Sequence, residues 1–206
     1  MLDKCLCYTN DREYLKHELV RCVKTLFAKG YVSSGGGNHS FRYNDTVFIT
    51  PSGYPRSHLK PSDLVLIDMD GNIIEGDLRP SIEVPFHTEI YKKRSDINAV
   101  SHAHSPYSHA LFQTFNLIEE EDGIFRTDDM RFPLKLGKVK VLEYRQLGSR
   151  ALARLVGNAS KDAKIMVLLD HGVIGIGRCI HEALFYVELL EEYARCILIS
   201  KVFGEY

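Results

Sequence analysis

The stretch from Asn98 to Pro106 constrains the fold more than any other part of this sequence. Its small and β-branched residues predict a short buried strand, which the Ser-Pro pair at its end stops. Side chains two positions apart on a strand point to the same side, so His102 and His104 should converge. Two converging imidazoles could bind a metal ion that takes nitrogen ligands. A His-x-His pair alone is equally compatible with two polar residues that bind nothing.

Helical and strand patterns alternate along the rest of the sequence. Apolar residues at helical spacing predict helices, and short β-branched runs between turn residues predict strands. The predicted helices cover residues 11–29, 80–93, 106–112, 149–155 and 179–202, and the predicted strands cover 40–43, 46–49, 64–67, 72–74, 139–142, 165–169 and 173–176. Hairpin turns join some of these strands and helices join others, which predicts a layered α/β fold with a mixed sheet. The segment 116–131 carries no pattern that supports an assignment.

Length, charge and cysteine usage exclude several classes of protein. A chain of 206 residues suits one sizeable core, so we expect a single domain over residues 1–206. The net charge of -1 gives no basic surplus, so a nucleic-acid partner is not expected. No apolar run approaches the roughly 20 residues that span a bilayer, and no signal sequence is evident. Five scattered cysteines are typical of reduced thiols, and together these features predict a cytoplasmic protein without a membrane partner.

A third histidine and a carboxylate occupy comparable positions. The apolar run 165–169 ends in Asp170-His171-Gly172, so His171 also follows a predicted strand. Catalytic zinc sites usually hold three protein ligands, which His102, His104 and His171 could supply, although a single histidine before glycine is more often structural. Glu83 falls in the first turn of the helix that begins at Pro80-Ser81.

Two loops rich in glycine and hydroxyl residues could hold an anion. Residues 33–40 contain three consecutive glycines, and residues 50–53 read Thr-Pro-Ser-Gly. Exposed backbone N–H groups in such loops can bind an anionic group. A run of glycines is also compatible with any tight turn.

Taken together, these segments resemble the class II aldolase/adducin family. The resemblance covers nearly the whole chain and rests on five blocks in a fixed order, each of them weak alone. The blocks are Gly36-Gly-Asn-His-Ser40, Ile49-Thr-Pro-Ser-Gly53, Pro80-Ser-Ile-Glu83, Ala99-Val-Ser-His-Ala-His104 and Leu169-Asp-His-Gly172. The resemblance implies a three-layer α/β/α fold around a central mixed, largely antiparallel sheet.

The resemblance also implies roles for individual residues. The zinc ligands would be His102, His104 and His171, although another divalent metal could replace zinc. Glu83 would be the catalytic acid/base and would also bind the metal until substrate displaces it. The phosphate pocket would be formed by Asn38, Ser52, Gly53 and Ser81. Ile82 stands where the family has a second serine, so one hydroxyl donor to a phosphate is missing.

The implied function is a zinc-dependent aldolase that cleaves a ketose 1-phosphate or a similar hydroxyketone and releases dihydroxyacetone phosphate. Alternatives on the same metal site are a pentulose-phosphate 4-epimerase, a methylthioribulose-phosphate dehydratase and a keto-acid decarboxylase. A non-enzymatic binding module of the adducin type is disfavoured because the three histidines are present. The family further implies a homotetramer, in which Tyr107, Tyr144 or Tyr206 could complete a neighbour's site.

Overall fold

The computed structural model describes residues 9–114, 124–125 and 136–204. Its α-helices are α1 (Arg12–Ala28), α2 (Val84–Lys93), α3 (Pro106–Thr114), α4 (Arg150–Ala159) and α5 (Ile180–Val202). Its strands are β1 (Asn38–Tyr43), β2 (Thr46–Ile49), β3 (Val65–Asp68), β4 (Ile73–Glu75), β5 (Ala99–Ala103), β6 (Ile124–Phe125), β7 (Val139–Leu142), β8 (Ile165–Leu168) and β9 (Gly172–Gly177). Two short 3-10 turns, Arg56–His58 and Pro61–Asp63, lie between β2 and β3.

The described strands form one sheet in the order β4-β3-β2-β1-β5-β9-β8-β7-β6. Every neighbouring pair is antiparallel except β7 and β8, which are parallel. The sheet is therefore mixed and largely antiparallel, as the sequence and its family resemblance predict.

Alternating side chains build a core on each face of this sheet. Along β8, Ile165 and Val167 pack with α3 and α5, whereas Met166 and Leu168 pack with α2 and α4. Helix α1 covers the α5 side, where Leu19 and Val23 contact the aromatic residues of β1 and β2. Because β8 is buried on both faces, its residues are continuously apolar. The result is the predicted three-layer α/β/α arrangement.

The predicted helices and strands agree with the structure except at particular ends. Helix α2 begins at Val84, so Glu83 is its N-cap residue and not part of its first turn. Pro85 fixes the backbone of that first turn, whereas Ile82 and Glu83 form a turn before it. Helix α4 continues to Ala159, four residues beyond its predicted end at 155, because its apolar face extends over β7 and β8.

The structure also bears on two further expectations, that the cysteines are reduced and that no segment spans a membrane. Cys22 and Cys196 are thiols, but Cys179 is disulfide-bonded, so the expectation of reduced thiols throughout is wrong for Cys179. Among the helices that the structure describes, none is both long enough and apolar enough to span a membrane.

Candidate active site

The sheet topology brings the three predicted metal ligands to one edge. Strand β5 runs antiparallel to β9, so the end of β5 pairs with the start of β9, with Ala103 opposite Val173. His102 and His104 lie at the end of β5, and His171 lies in the tight turn that leads from β8 into β9. Asp170 in that turn has φ +59°, a left-handed conformation that Asp tolerates and that sends the chain directly back.

The reactive nitrogens of the three histidines converge. The Nε2 atom of His102 lies 3.1 Å from Nε2 of His104 and 3.1 Å from Nε2 of His171. Nitrogens bound to one tetrahedral zinc at about 2.0–2.1 Å would lie about 3.3 Å apart, so the observed spacing fits a shared cation. Among the described residues, His102, His104 and His171 form the one group of three or more histidine, cysteine or acidic side chains close enough to hold a metal ion.

The protonation states of these histidines suit metal binding. The Nδ1 atom of His102 lies 2.9 Å from the carbonyl oxygen of Val173, to which it donates its proton, leaving the Nε2 lone pair free. Burial and the neighbouring imidazoles lower the pKa of His102 well below its ordinary value, and burial lowers the pKa of His171 to about 4. Burial also lowers the pKa of His104. All three rings are therefore neutral at pH 7, as metal ligands must be.

Gly172 allows the histidines to approach one another. A Cβ atom there would lie 2.4 Å from the carbonyl oxygen of Ala103 and 3.1 Å from ring carbons of His102 and His104. We expect Gly172→Ala to lower the free energy of unfolding by about 1–3 kcal/mol, measured by urea denaturation, because the turn must move to accept the methyl group.

The matched control for this substitution is Gly35→Ala, whose Cβ would meet its nearest atoms at an ordinary 3.7 Å. The Gly172 variant should also bind a divalent cation more weakly than the Gly35 variant. Equal stability and equal cation affinity in the two variants would contradict the role given to Gly172.

Glu83 is a buried carboxyl group that lines one cavity with His104 and His171 but lies outside the group of three converging histidines. A backbone bridge between Pro51 and Pro80, and the bond from the N–H of Ser81 to the carbonyl of Thr50, bring its segment to this edge. Its Oε1 atom accepts a hydrogen bond from the N–H of Gly148 at 2.7 Å, and its buried Oε2 atom has no hydrogen-bond partner. Burial raises the pKa of Glu83 to about 7, although the Gly148 N–H opposes that shift. A carboxyl group with such a pKa can both accept and donate a proton near neutrality.

A cavity of about 140 Å³ joins Glu83 to the two loops that the sequence predicts to hold an anion. It is lined by Gly35, Gly36, Gly37, Asn38, Ser52, Gly53, Arg56, Ser81, Ile82, Glu83, His104, Leu147 and His171. All four residues proposed for phosphate binding are thus in one cavity with the acid and two of the histidines. His102 is fully buried behind them. Ile82 is 47% exposed and gives the cavity an apolar wall where a serine was expected.

Comparison with known proteins identifies the family. Residues 17–198 match the family model described as the Class II Aldolase and Adducin N-terminal domain. The chain belongs to this family. It is 34% identical over 186 residues to L-fuculose phosphate aldolase from Methanocaldococcus jannaschii, a match that covers 90% of this chain and 96% of the relative.

Other members of the class II aldolase family show that one fold serves several reactions. A 3-oxo-tetronate 4-phosphate decarboxylase from Haemophilus influenzae is 33% identical over 181 residues, covering 87% of this chain and 85% of the relative. The solved structure of YgbL from Escherichia coli superposes with a TM-score of 0.81 at 28% identity, covering 92% of this chain and 90% of that structure. The family and the aldolase-named relatives make this chain a class II lyase that acts on a small molecule.

In this class II aldolase-family chain, Arg56 also lines the cavity, a position that the sequence did not predict. Its side chain is 1% exposed and donates hydrogen bonds to the carbonyl oxygens of Gly36, Gly37 and Pro51, which ties the two loops together. Burial lowers its pKa to about 10, so the guanidinium stays charged at neutral pH. No carboxylate pairs with it among residues 9–114, 124–125 and 136–204, so its charge favours an anion in the cavity. An arginine in a loop is usually exposed, which is why its sequence position gave no signal.

His87 is the second residue that sequence reasoning missed. It lies four residues after Glu83, the N-cap residue of α2, and this spacing could have drawn attention to it. His87 is fully buried, and its ring nitrogens lie 2.6 Å from Oδ1 of Asn38 and 2.7 Å from Oγ of Ser40. Burial lowers its pKa to about 3, so the ring is neutral at physiological pH.

The buried, neutral His87 makes the stability of this chain fall in acid. The folded state keeps His87 neutral down to about pH 3, whereas in the unfolded chain it takes up a proton below its ordinary pKa of 6.5. Because the unfolded state binds more protons in that window, the free energy of unfolding decreases as the pH falls from 6.5 towards 3. The loss attributable to one such histidine is about 2 kcal/mol at about pH 5.

Urea denaturation of metal-free protein at pH 7 and pH 5 measures this effect. His87→Gln, which cannot titrate, should lose about 2 kcal/mol less than the wild type over that interval. The other buried histidines are unchanged in the variant, so the difference isolates His87. An identical pH dependence in the two proteins would show that His87 is not held neutral by burial.

Proposed function

We propose that this protein is a zinc-dependent aldolase that cleaves a ketose 1-phosphate, or a similar hydroxyketone, into dihydroxyacetone phosphate and an aldehyde. The observation that carries the proposal is the cavity in which a carboxyl group of raised pKa, neutral histidines with converging Nε2 atoms, and an uncompensated arginine meet. The relatives named L-fuculose phosphate aldolase and 5-deoxy-D-ribulose 1-phosphate aldolase support it.

In this proposal His102, His104 and His171 hold the cation, with Glu83 as a fourth ligand that substrate displaces. A bound divalent cation would supply Lewis acidity to the carbonyl and neighbouring hydroxyl oxygens of the substrate. Three nitrogen ligands with an open position are typical of catalytic zinc, although other divalent metals accept the same donor set.

Glu83 is the proposed acid/base. Retro-aldol cleavage removes a proton from the hydroxyl group of the aldehyde half, breaks the adjacent carbon–carbon bond, and returns a proton to the carbon of the ketone half. Since the pKa of Glu83 is about 7, this carboxyl group could accept and donate a proton at neutral pH. The hydrogen bond from Gly148 holds Oε1, so the unpartnered Oε2 is the oxygen available to carry that proton.

The other end of the cavity is proposed to hold the phosphate. Asn38, Ser52 and Ser81 offer neutral donors, Gly53 offers its backbone, and the buried charge of Arg56 favours an anion. The serine missing at Ile82 removes one donor, and Arg56 offsets that loss by charge. Holding the anionic end positions the reacting carbons next to Glu83 and the histidines.

The test is to incubate the zinc-loaded protein with a panel of ketose 1-phosphates and to measure released dihydroxyacetone phosphate by a coupled reduction. We expect release from at least one sugar. No release across the panel would overturn the aldolase assignment.

Decarboxylation of a 3-oxo acid phosphate is the second candidate, supported by the relative from Haemophilus influenzae and by the departure at Ile82. Loss of carbon dioxide from such a substrate, with a proton returned to the carbon that carried it, also leaves dihydroxyacetone phosphate. Release of both from the 3-oxo acid phosphate, with no dihydroxyacetone phosphate from any ketose 1-phosphate, would select this candidate. The epimerase and dehydratase alternatives would instead give a product that keeps all its carbons.

We also propose that the chain is a single-domain cytoplasmic protein of carbohydrate metabolism that assembles as a homotetramer. Tyr107 and Tyr144 are 42% and 52% exposed and so could reach a neighbouring subunit. Tyr206 lies outside the described residues. Equilibrium sedimentation of the zinc-loaded protein tests the assembly, and a monomer would contradict it.

A further inference from the structure

Four buried polar side chains form a continuous hydrogen-bonded chain behind the cavity. Oδ1 of Asn38 lies 2.6 Å from Nε2 of His87, and Nδ1 of His87 lies 2.7 Å from Oγ of Ser40. Oγ of Ser40 lies 2.7 Å from the hydroxyl oxygen of Tyr91. Asn38 is 6% exposed and Tyr91 2%, and the two residues between them are fully buried. The chain leads from the protein interior to the cavity wall.

The periodicities of two elements create this arrangement. Asn38 and Ser40 are two residues apart on β1 and so point to the same side of the sheet. His87 and Tyr91 are four residues apart on α2 and so lie on the same face of the helix. Helix α2 packs on that side of the sheet, which brings the two pairs together.

The direction of the hydrogen bonds follows from the number of protons available. Among the described residues, the hydroxyl of Tyr91 has Oγ of Ser40 as its hydrogen-bond partner, so its single proton is donated to Ser40. Ser40 then donates its own proton to Nδ1 of His87. Because the His87 ring is neutral, its one proton is on Nε2 and is donated to Oδ1 of Asn38. Reversing the direction would leave the Tyr91 hydroxyl proton buried without an acceptor, which is costly.

This direction determines which end of the Asn38 amide faces the cavity. With Oδ1 accepting from His87, the NH₂ group is the part of the side chain that remains for a ligand. An NH₂ group donates to an anion, whereas an amide oxygen in its place would repel one. The buried hydrogen bonds thus decide whether Asn38 presents a donor or an acceptor group at the cavity wall.

We propose that Tyr91, Ser40 and His87 are positioning residues that fix Asn38 with its NH₂ group towards the cavity and thereby set the preference for the anionic end of the substrate. The link to substrate rests on the proposed function, since it takes Asn38 as a phosphate-binding residue. The orientation of Asn38 itself does not depend on which reaction the protein catalyses.

The first test is the tautomer of His87 in zinc-loaded protein with ¹⁵N-labelled histidine. Long-range ¹H–¹⁵N correlation spectra distinguish a ring protonated at Nε2 from one protonated at Nδ1, and His87→Gln assigns the signal by its loss. We expect the Nε2-protonated form. The Nδ1-protonated form would overturn the proposal, whatever reaction the protein catalyses.

The second test compares His87→Gln with His87→Met for binding of inorganic phosphate, measured by titration calorimetry on the zinc-loaded variants. Glutamine can place an N–H near the position of Nε2 and so keep the donor to Asn38, whereas methionine of similar volume cannot. We expect the glutamine variant to bind phosphate within about threefold of wild type and the methionine variant about tenfold more weakly. Equal weakening in both variants would show a merely structural role and would contradict the proposal.

Tyr91→Phe provides a milder variant, with Tyr193→Phe as the matched control because both remove the hydroxyl of a buried tyrosine. Only Tyr91→Phe should allow the Nδ1-protonated form of His87 and weaken phosphate binding. For an identified substrate, it should raise KM more than it lowers kcat. If these effects appear while no ketose phosphate is cleaved, the positioning role stands and the proposed function fails.

Discussion

Replacing His102 and His104 together by alanine is expected to abolish stoichiometric binding of a divalent cation. Their Nε2 atoms lie 3.1 Å apart, and His102 is also within 3.1 Å of His171, so two of three converging donors would be lost. Disturbing only the groups around a metal ligand typically costs about 10–100-fold in affinity, so losing two ligands should exceed that range. Zinc content after reconstitution and dialysis, measured by mass spectrometry, gives the result.

His17→Ala is the control for this experiment, because His17 is exposed on α1 and far along the chain from the site. Circular dichroism of each variant separates loss of the site from loss of the fold. Zinc that remained bound at one equivalent in the folded double variant would show that the histidines do not form the metal site.

The second large effect is expected from Glu83→Gln. The glutamine oxygen can still accept the hydrogen bond from Gly148, so the fold and the three histidines should be undisturbed. It has no proton to exchange near neutral pH, whereas Glu83 with a pKa of about 7 does. Because general acid/base catalysis contributes roughly 10²–10⁴-fold, turnover should fall by that factor.

Turnover and zinc content of the Glu83 variant should be measured together. We expect close to the wild-type zinc content, because three nitrogen ligands remain, and little turnover. Glu89→Gln, on the same helix and paired with Lys93, should leave both unchanged. Turnover that survived in Glu83→Gln would assign the proton transfer to another group.

The metal site could be predicted from the sequence only in part. The period of a strand predicts that His102 and His104 converge, which requires no knowledge of the tertiary structure. The position of His171 beside them depends on β5 pairing with β9, a contact between segments about 70 residues apart that spacing alone does not reveal. The family resemblance supplied His171 as the third ligand, and the pairing of β5 with β9 gives the physical reason.

The surroundings of Glu83 show why the remainder could not be predicted. Its hydrogen bond to Gly148, its buried Oε2 atom and its raised pKa depend on a loop that is distant in sequence. Arg56 and His87 were missed for a related reason. Their burial, and hence their influence on an anion in the cavity, follows from tertiary packing and not from any local pattern.

We propose above all that Glu83 moves a proton at the carbon next to a carbonyl while the three histidines hold the cation. Hydrogen–deuterium exchange of dihydroxyacetone phosphate in heavy water tests this directly, without knowledge of the aldehyde partner. Proton NMR should show that the zinc-loaded protein removes the signal of one hydrogen from the hydroxymethyl carbon, and that Glu83→Gln does so roughly 10²–10⁴-fold more slowly. Exchange no faster than in a protein-free solution containing zinc would contradict the account.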